Sequence, residues 1–194
     1  MDNLELILPL LKFESKDDFY YIQILQRKKE NPQIGSNSKV VKNYYINSEQ
    51  YLLDKWEEIK KLCDVFNARA MIRLNKRSFE KVAFKAMVNI ANTISNREYQ
   101  FLKASYDRAC GLGHNDKNKS WVLDIDEHKD FDWYCNLVDF IHNIKPVGDK
   151  VIGTIPSKSG KHIIAKPFDL RQFSIQYPDI DVHKDNTTNL YIPE

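Results

Sequence analysis

A strand that is apolar on one side and acidic at its far end leaves a chain few ways to fold. The stretch Trp121-Val122-Leu123-Asp124-Ile125-Asp126 has that form. Side chains alternate along a strand, so Leu123 and Ile125 face one side while Asp124 and Asp126 face the other. The two carboxylates then stand about 7 Å apart along the backbone. At an effective dielectric of about 20 their repulsion is on the order of 2 kcal/mol. A divalent cation between them turns that cost into a binding site, and oxygen-only ligands suit magnesium or manganese better than zinc. The plainer reading is two acids solvating a strand end, and the rest of the chain has to decide between the two.

The chain beyond the acids has a recognisable order. Trp133, Leu137, Phe140, Ile141 and Ile144 fall on one face of a helix over 131–144. Residues 151–156 read as a strand, Ser157-Lys158-Ser159-Gly160 as a turn, and 161–166 as a second strand antiparallel to the first. Asp169 caps a short helix to residue 176, and 188–192 form a last strand. The order β-α-β-β-α-β is the split βαβ pattern of ferredoxin-like and RRM-like domains, in which the first and third strands are central neighbours. Strands 121–126 and 161–166 are therefore expected side by side, with His162 near the acids. A serine (Ser159), amides beside Gly160, Lys161 and an imidazole suit phosphate oxygens, although an ordinary hairpin turn has much the same composition. A third acid comes from Ile180-Asp181-Val182, with Asp185 in reserve. His183 is a weak addition to that region, and His114, His128 and His142 read as surface residues.

The first half has mixed α/β character. An apolar segment over 4–11 is interrupted by Pro9, and strands over 19–26 and 40–46 pair across a loop. Ser48 opens a helix to residue 66 with acids early and lysines late. A strand over 68–74 follows, then a helix from Ser78 to 93 and another over 97–110. Gly111-Leu112-Gly113-His114 reads as a helix stop, and the polar run to Ser120 as the boundary between two lobes, 1–115 and 116–194. A net charge of +2 gives no bulk attraction to nucleic acid. Distribution says more: between Asn67 and Ser105 stand Arg69, Arg73, Lys76, Arg77, Lys81, Lys85, Arg97 and Lys103, against only Glu80 and Glu98. Arg69, Arg73, Lys76 and Arg77 are the expected phosphate-contacting face, with a solvated surface as the alternative. The three cysteines are scattered and offer no zinc spacing, which fits reduced thiols in a cytoplasm. No apolar run reaches membrane-spanning length, so no membrane partner is expected.

Taken together, Val122-Leu123-Asp124-Ile125-Asp126, Ser159-Gly160-Lys161-His162 and Ile180-Asp181 resemble, in that order, the three motifs of the archaeo-eukaryotic primase superfamily, in particular small primase-polymerases of phages, plasmids and mobile elements. The resemblance covers residues 121–193; the first half shares only its mixed α/β character and Arg73-Leu74-Asn75-Lys76-Arg77-Ser78. Arginines often found after the family's third acid are missing from Asp181-Val182-His183-Lys184-Asp185. The resemblance implies an α+β, two-lobed core with an N-terminal α/β lobe and a C-terminal RRM-like catalytic lobe. It implies template-directed nucleotidyl transfer, with Asp124, Asp126 and Asp181 holding two Mg²⁺ or Mn²⁺ ions. His162, Ser159, Gly160 and Lys161 would take the triphosphate of an incoming nucleotide, and Arg69, Arg73, Lys76 and Arg77 the template. DNA template and primer, (d)NTPs and a helicase are the implied partners. Two rivals share the fold: an RRM-like single-strand binder without chemistry, and a metal-dependent nuclease.

Overall fold

The structure, a computed structural model, describes residues 1–112, 118–126 and 129–193. It is a mixed α+β protein with two antiparallel sheets and six α-helices among these residues. The first sheet has the order β2-β1-β3-β9, from β1 (Asp18–Arg27), β2 (Ser38–Ile46), β3 (Arg69–Arg73) and β9 (Thr187–Tyr191). The short β4 (Arg77–Ser78) pairs with the start of β1. The second sheet has the order β6-β7-β5-β8, from β5 (Trp121–Ile125), β6 (Val151–Pro156), β7 (Lys161–Ala165) and β8 (Asp181–His183).

Helix boundaries follow local chemistry. Helix α1 is a single turn, Leu4–Ile7, and Pro9 falls in the 3₁₀ turn after it. The Ser48 hydroxyl accepts from the Tyr51 amide to start α2 (Glu49–Phe66), whose Leu52, Trp56, Ile59 and Cys63 are buried at helical spacing. Lys60 and Lys61 stand late in α2, as expected, though not in its last turn, and the helix stops where Asn67 adopts a left-handed conformation, φ 44°. Ser78 caps α3 (Phe79–Ser95) and Asp169 caps α6 (Leu170–Gln176), both as expected. The helix expected over 97–110 is instead a 3₁₀ segment, Tyr99–Ala104, followed by α4 (Ser105–Leu112). Gly111, expected to stop this helix, lies inside α4, and Gly113, the other glycine of that expected stop, lies outside the described residues.

The second sheet has β5 and β7 as central neighbours, as the β-α-β-β-α-β order demands. Its fourth strand differs. Residues 188–192 were expected to close this sheet, but β9 pairs with β3 of the first sheet, from Ala70↔Tyr191 to Arg73↔Thr187. The closing strand is β8, too short to show alternation in a sequence. Without β9 the apolar β3 would be an open edge, and Leu190 and Thr188 are fully buried in this arrangement.

The central strands of the second sheet are covered on both faces. Trp121, Leu123, Ile125, Ile163 and Ala165 pack with Leu137 and Ile141 of α5 (Phe131–Asn143) and with Phe173 of α6. Val122, Ile155 and Ile164 join the core that holds Ile22, Ile72 and α2. Two buried asparagines stitch the sheets. Asn3 donates to the carbonyls of Pro156, at 3.1 Å, and Asn189, at 3.0 Å. Asn75 donates to those of Ser120 and Lys184, and accepts from the Ser120 amide. The second sheet is thereby held against the first.

Candidate functional site

Strand register brings the acids and the imidazole together. Asp124 of β5 lies opposite His162 of β7 on one side and opposite Asp181 of β8 on the other. Residues directly opposite in an antiparallel pair share a face, so the three form a row across adjacent strands. His183 lies on the same face, opposite Val122. Asp126 stands just past the end of β5 and is exposed.

His162 is almost fully buried, and its two nitrogens are both engaged. Nε2 stands 3.3 Å from Asp124 Oδ1 and Nδ1 stands 2.8 Å from the Thr188 hydroxyl. A proton on Nε2 points at Asp124 and leaves Nδ1 to accept from Thr188, while a doubly protonated ring donates to both. Hydrogen bonding by His162 holds the Asp124 carboxyl below the usual range, against partial burial that pushes it up; the charges of His162, His183 and Arg27 act in the same direction as the bond. Thr188 belongs to β9, so the ring orientation depends on the strand that crosses between sheets.

Gly160 fixes the end of β5. A Cβ there would stand 1.8 Å from the Ile125 carbonyl oxygen and 3.0 Å from the Asp126 carbonyl carbon. The Ser157–Gly160 turn is closed by its own hydrogen bonds, Ser157 N–H to Gly160 O at 3.0 Å and Gly160 N–H to Ser157 Oγ at 3.1 Å. The glycine thus admits the backbone of β5 beside the acids, a protein neighbour in place of the ligand expected to approach it.

A cleft of about 650 Å³ opens beside the row. Asp124, Asp126, His162 and Ser159 line it from the second sheet, and Leu25, Arg69, Met71 and Asn189 from the first. Three cations absent from the expected site, Arg27, Lys29 and Lys158, also line it. The first two end β1 and enter the β1–β2 loop, more than ninety residues from the acids, and no local signal links them to the site.

The other expected site residues are placed differently. Lys161 stands on the opposite face of β7 from His162, 4.4 Å above the Tyr134 ring. The four expected template contacts are all paired with carboxylates. Arg69 is nearly buried and bonds Glu30, with Nε 2.9 Å from Oε1. Arg77 is fully buried and Arg73 mostly so, and both pair with Asp185, at 2.7 and 3.7 Å. Lys76 pairs with Glu14 and Asp18, at 2.6 and 3.2 Å. These residues are therefore not a bare cationic face. Asp185, the reserve third acid, is committed to the arginines and to Asn75 and does not share the row of Asp124.

The donor chemistry at the tip, carboxylate oxygens with one acid held ionised, fits a hard divalent cation. Among the described residues no three His, Cys, Asp or Glu side chains are gathered closely enough to hold a metal ion. His114 and His128 lie outside the described residues. Cys63 and Cys110 are buried free thiols, pushed up to about 12 chiefly by burial. No described helix is long and apolar enough to cross a membrane. Comparison of the chain with family models, with curated proteins and with solved structures finds no match.

Proposed function

We propose that the chain is a template-directed nucleotidyltransferase, a primase-polymerase core that extends a DNA strand with (d)NTPs. The observation that carries this reading is the row Asp181–Asp124–His162 across three strands, of which Asp124 and His162 line a cleft shared with Arg27, Lys29 and Lys158. Carboxylates at that position repel phosphate unless a cation intervenes, which argues against a simple single-strand binder.

Asp124, Asp126 and Asp181, which do not form a closed cluster by themselves, would hold Mg²⁺ or Mn²⁺ together with the substrate's phosphate oxygens; when bound, the ion activates a hydroxyl and neutralises phosphate charge. The chain's own part is positioning. Hydrogen bonding to His162 keeps Asp124 ionised and therefore able to ligate. His162, aimed by Thr188, sets an imidazole beside the acids, where in its protonated form it balances charge on transferring phosphate oxygens. Ser159 in the turn, with Arg27 and Lys29 facing the same cleft, serves the triphosphate, while Lys158 stands 3.5 Å from Glu30 and is partly neutralised by it. The Gly160 backbone packs against the end of β5, and the Ile125↔Lys161 pair joins the strand after the turn to it, which sets segment 157–160 beside the carboxylates.

The test is incubation of the chain with a primed template, nucleotides and Mg²⁺ or Mn²⁺. Extension by the wild type, and its loss in the doubly substituted Asp124→Ala/Asp126→Ala chain with unchanged circular dichroism, is the expected result. Shortened strands would replace this reading with a nuclease, and a retarded but unaltered strand with a binding protein.

A further inference from the structure

The cleft contains a polar group that the chemistry above leaves unused. Asn189, on β9, lines the cleft and is only 2% exposed. Its backbone carbonyl is occupied by the Asn3 amide, at 3.0 Å. Its side-chain Oδ1, by contrast, has no hydrogen-bond partner among the described residues. A buried amide oxygen left without a donor is destabilising, and folding alone supplies no reason to keep one. The oxygen has almost no accessible surface in the unliganded cleft, so the orphan acceptor points to a donor that arrives with a ligand and meets it once the amide turns about χ2.

The surroundings narrow down which part of a ligand that is. Asn189 is paired in register with Met71 of β3, and Leu25 of β1 lines the same cleft. Met71 and Leu25 are apolar, Thr187 and Asn186 of the same lining are polar but uncharged, and Arg69 is already paired with Glu30. Phosphate oxygens accept hydrogen bonds and do not donate, so a phosphate against Oδ1 would set two acceptors face to face. The donors of a nucleotide lie on its other half, as sugar hydroxyls and base N–H groups. We propose that Asn189 is a specificity-determining residue for the nucleoside half of the nucleotide, with Oδ1 accepting one of those donors and Met71 and Leu25 forming the apolar wall beside it. This rests on the nucleotidyltransferase reading of the cleft.

The test is calorimetric titration of the wild type and of Asn189→Leu with ATP, dATP and inorganic triphosphate, each with Mg²⁺, beside thermal melts of the unliganded proteins. Asn189→Leu is expected to weaken ATP binding at least tenfold and to leave triphosphate binding unchanged. The melting temperature should not fall, because an unsatisfied acceptor has been removed. A loss confined to ATP assigns the donor to the ribose 2′-hydroxyl; an equal loss for dATP assigns it to the base or the 3′-hydroxyl. Unchanged ATP affinity in the variant, or an equal loss for triphosphate, overturns the contact while leaving the polymerase reading intact. A wild type that binds no nucleotide and extends no primer overturns both.

Discussion

Asp124 and Asp185 each meet a basic partner from another strand, yet their surroundings differ. Asp185 is sealed: its side chain is 13% exposed, and Arg77 opposite it is not exposed at all. Asp124 is about one-third exposed, beside a half-polar cleft, and its partner is an imidazole. A sealed guanidinium–carboxylate pair has no room for a ligand and works as an internal fastening, the more so because Asn75 and Arg73 bond to the same acid or its carbonyl. A half-open carboxylate keeps lone pairs for something from outside. The two acids have the same chemistry, and burial separates their roles.

Removing Asp185 should break that contrast most severely. Asp185→Ala leaves Arg77 buried without its countercharge, and a loss of about 3–5 kcal/mol is expected in denaturant unfolding. A loss under about 1 kcal/mol would show that the fastening is not sealed. Gly160→Ala comes next, since its Cβ must displace the Ile125 carbonyl. We expect about 1–3 kcal/mol from that overpacking, together with impaired primer extension; wild-type extension would show that the end of β5 tolerates movement. Asp124→Asn should be mild in stability, below about 1 kcal/mol at pH 7, while extension is abolished. Because the folded-state carboxyl of Asp124 is held low, its contribution is complete above the unfolded value and is lost as pH falls through the folded one. The stability gap between wild type and Asp124→Asn should thus close on acidification below about pH 4, and a gap that widened would reverse the assigned sign. Smallest is Lys161→Ala. On the face away from His162 it should leave triphosphate affinity unchanged and remove only a cation–π contact, about 0.5 kcal/mol in a melt.

Much of the architecture was legible because it is local. Alternation in Trp121–Ile125, helical spacing of Leu52, Trp56, Ile59 and Cys63, and the caps Ser48, Ser78 and Asp169 each depend on neighbours a few residues away. The pairing of β5 with β7 followed from element order and set Asp124 against His162. Less legible was anything that depended on which face of the chain was left over. The bases of 69–77 look like a solvent-facing cluster in one dimension, since nothing there reveals that Glu30, Asp18 and Asp185 return to meet them. Lys161 and His162 are adjacent in sequence and suggest one phosphate-binding group, but neighbours on a strand point to opposite faces.

By itself, then, the amino-acid order determined two acids at a strand end, an imidazole on the adjoining strand and the alternating elements that bring them together. Only the tertiary structure decided that β9 leaves one sheet to complete the other, that Asp185 fastens arginines while Asp181 stands beside Asp124, and that Asn189 is buried in the cleft with an unanswered oxygen. The physical reason is the range of the forces. Side-chain periodicity and capping act within a turn or a strand. Strand exchange and charge burial are settled by desolvation between segments more than a hundred residues apart, where the chain must bury an open edge or pair a guanidinium before it can close.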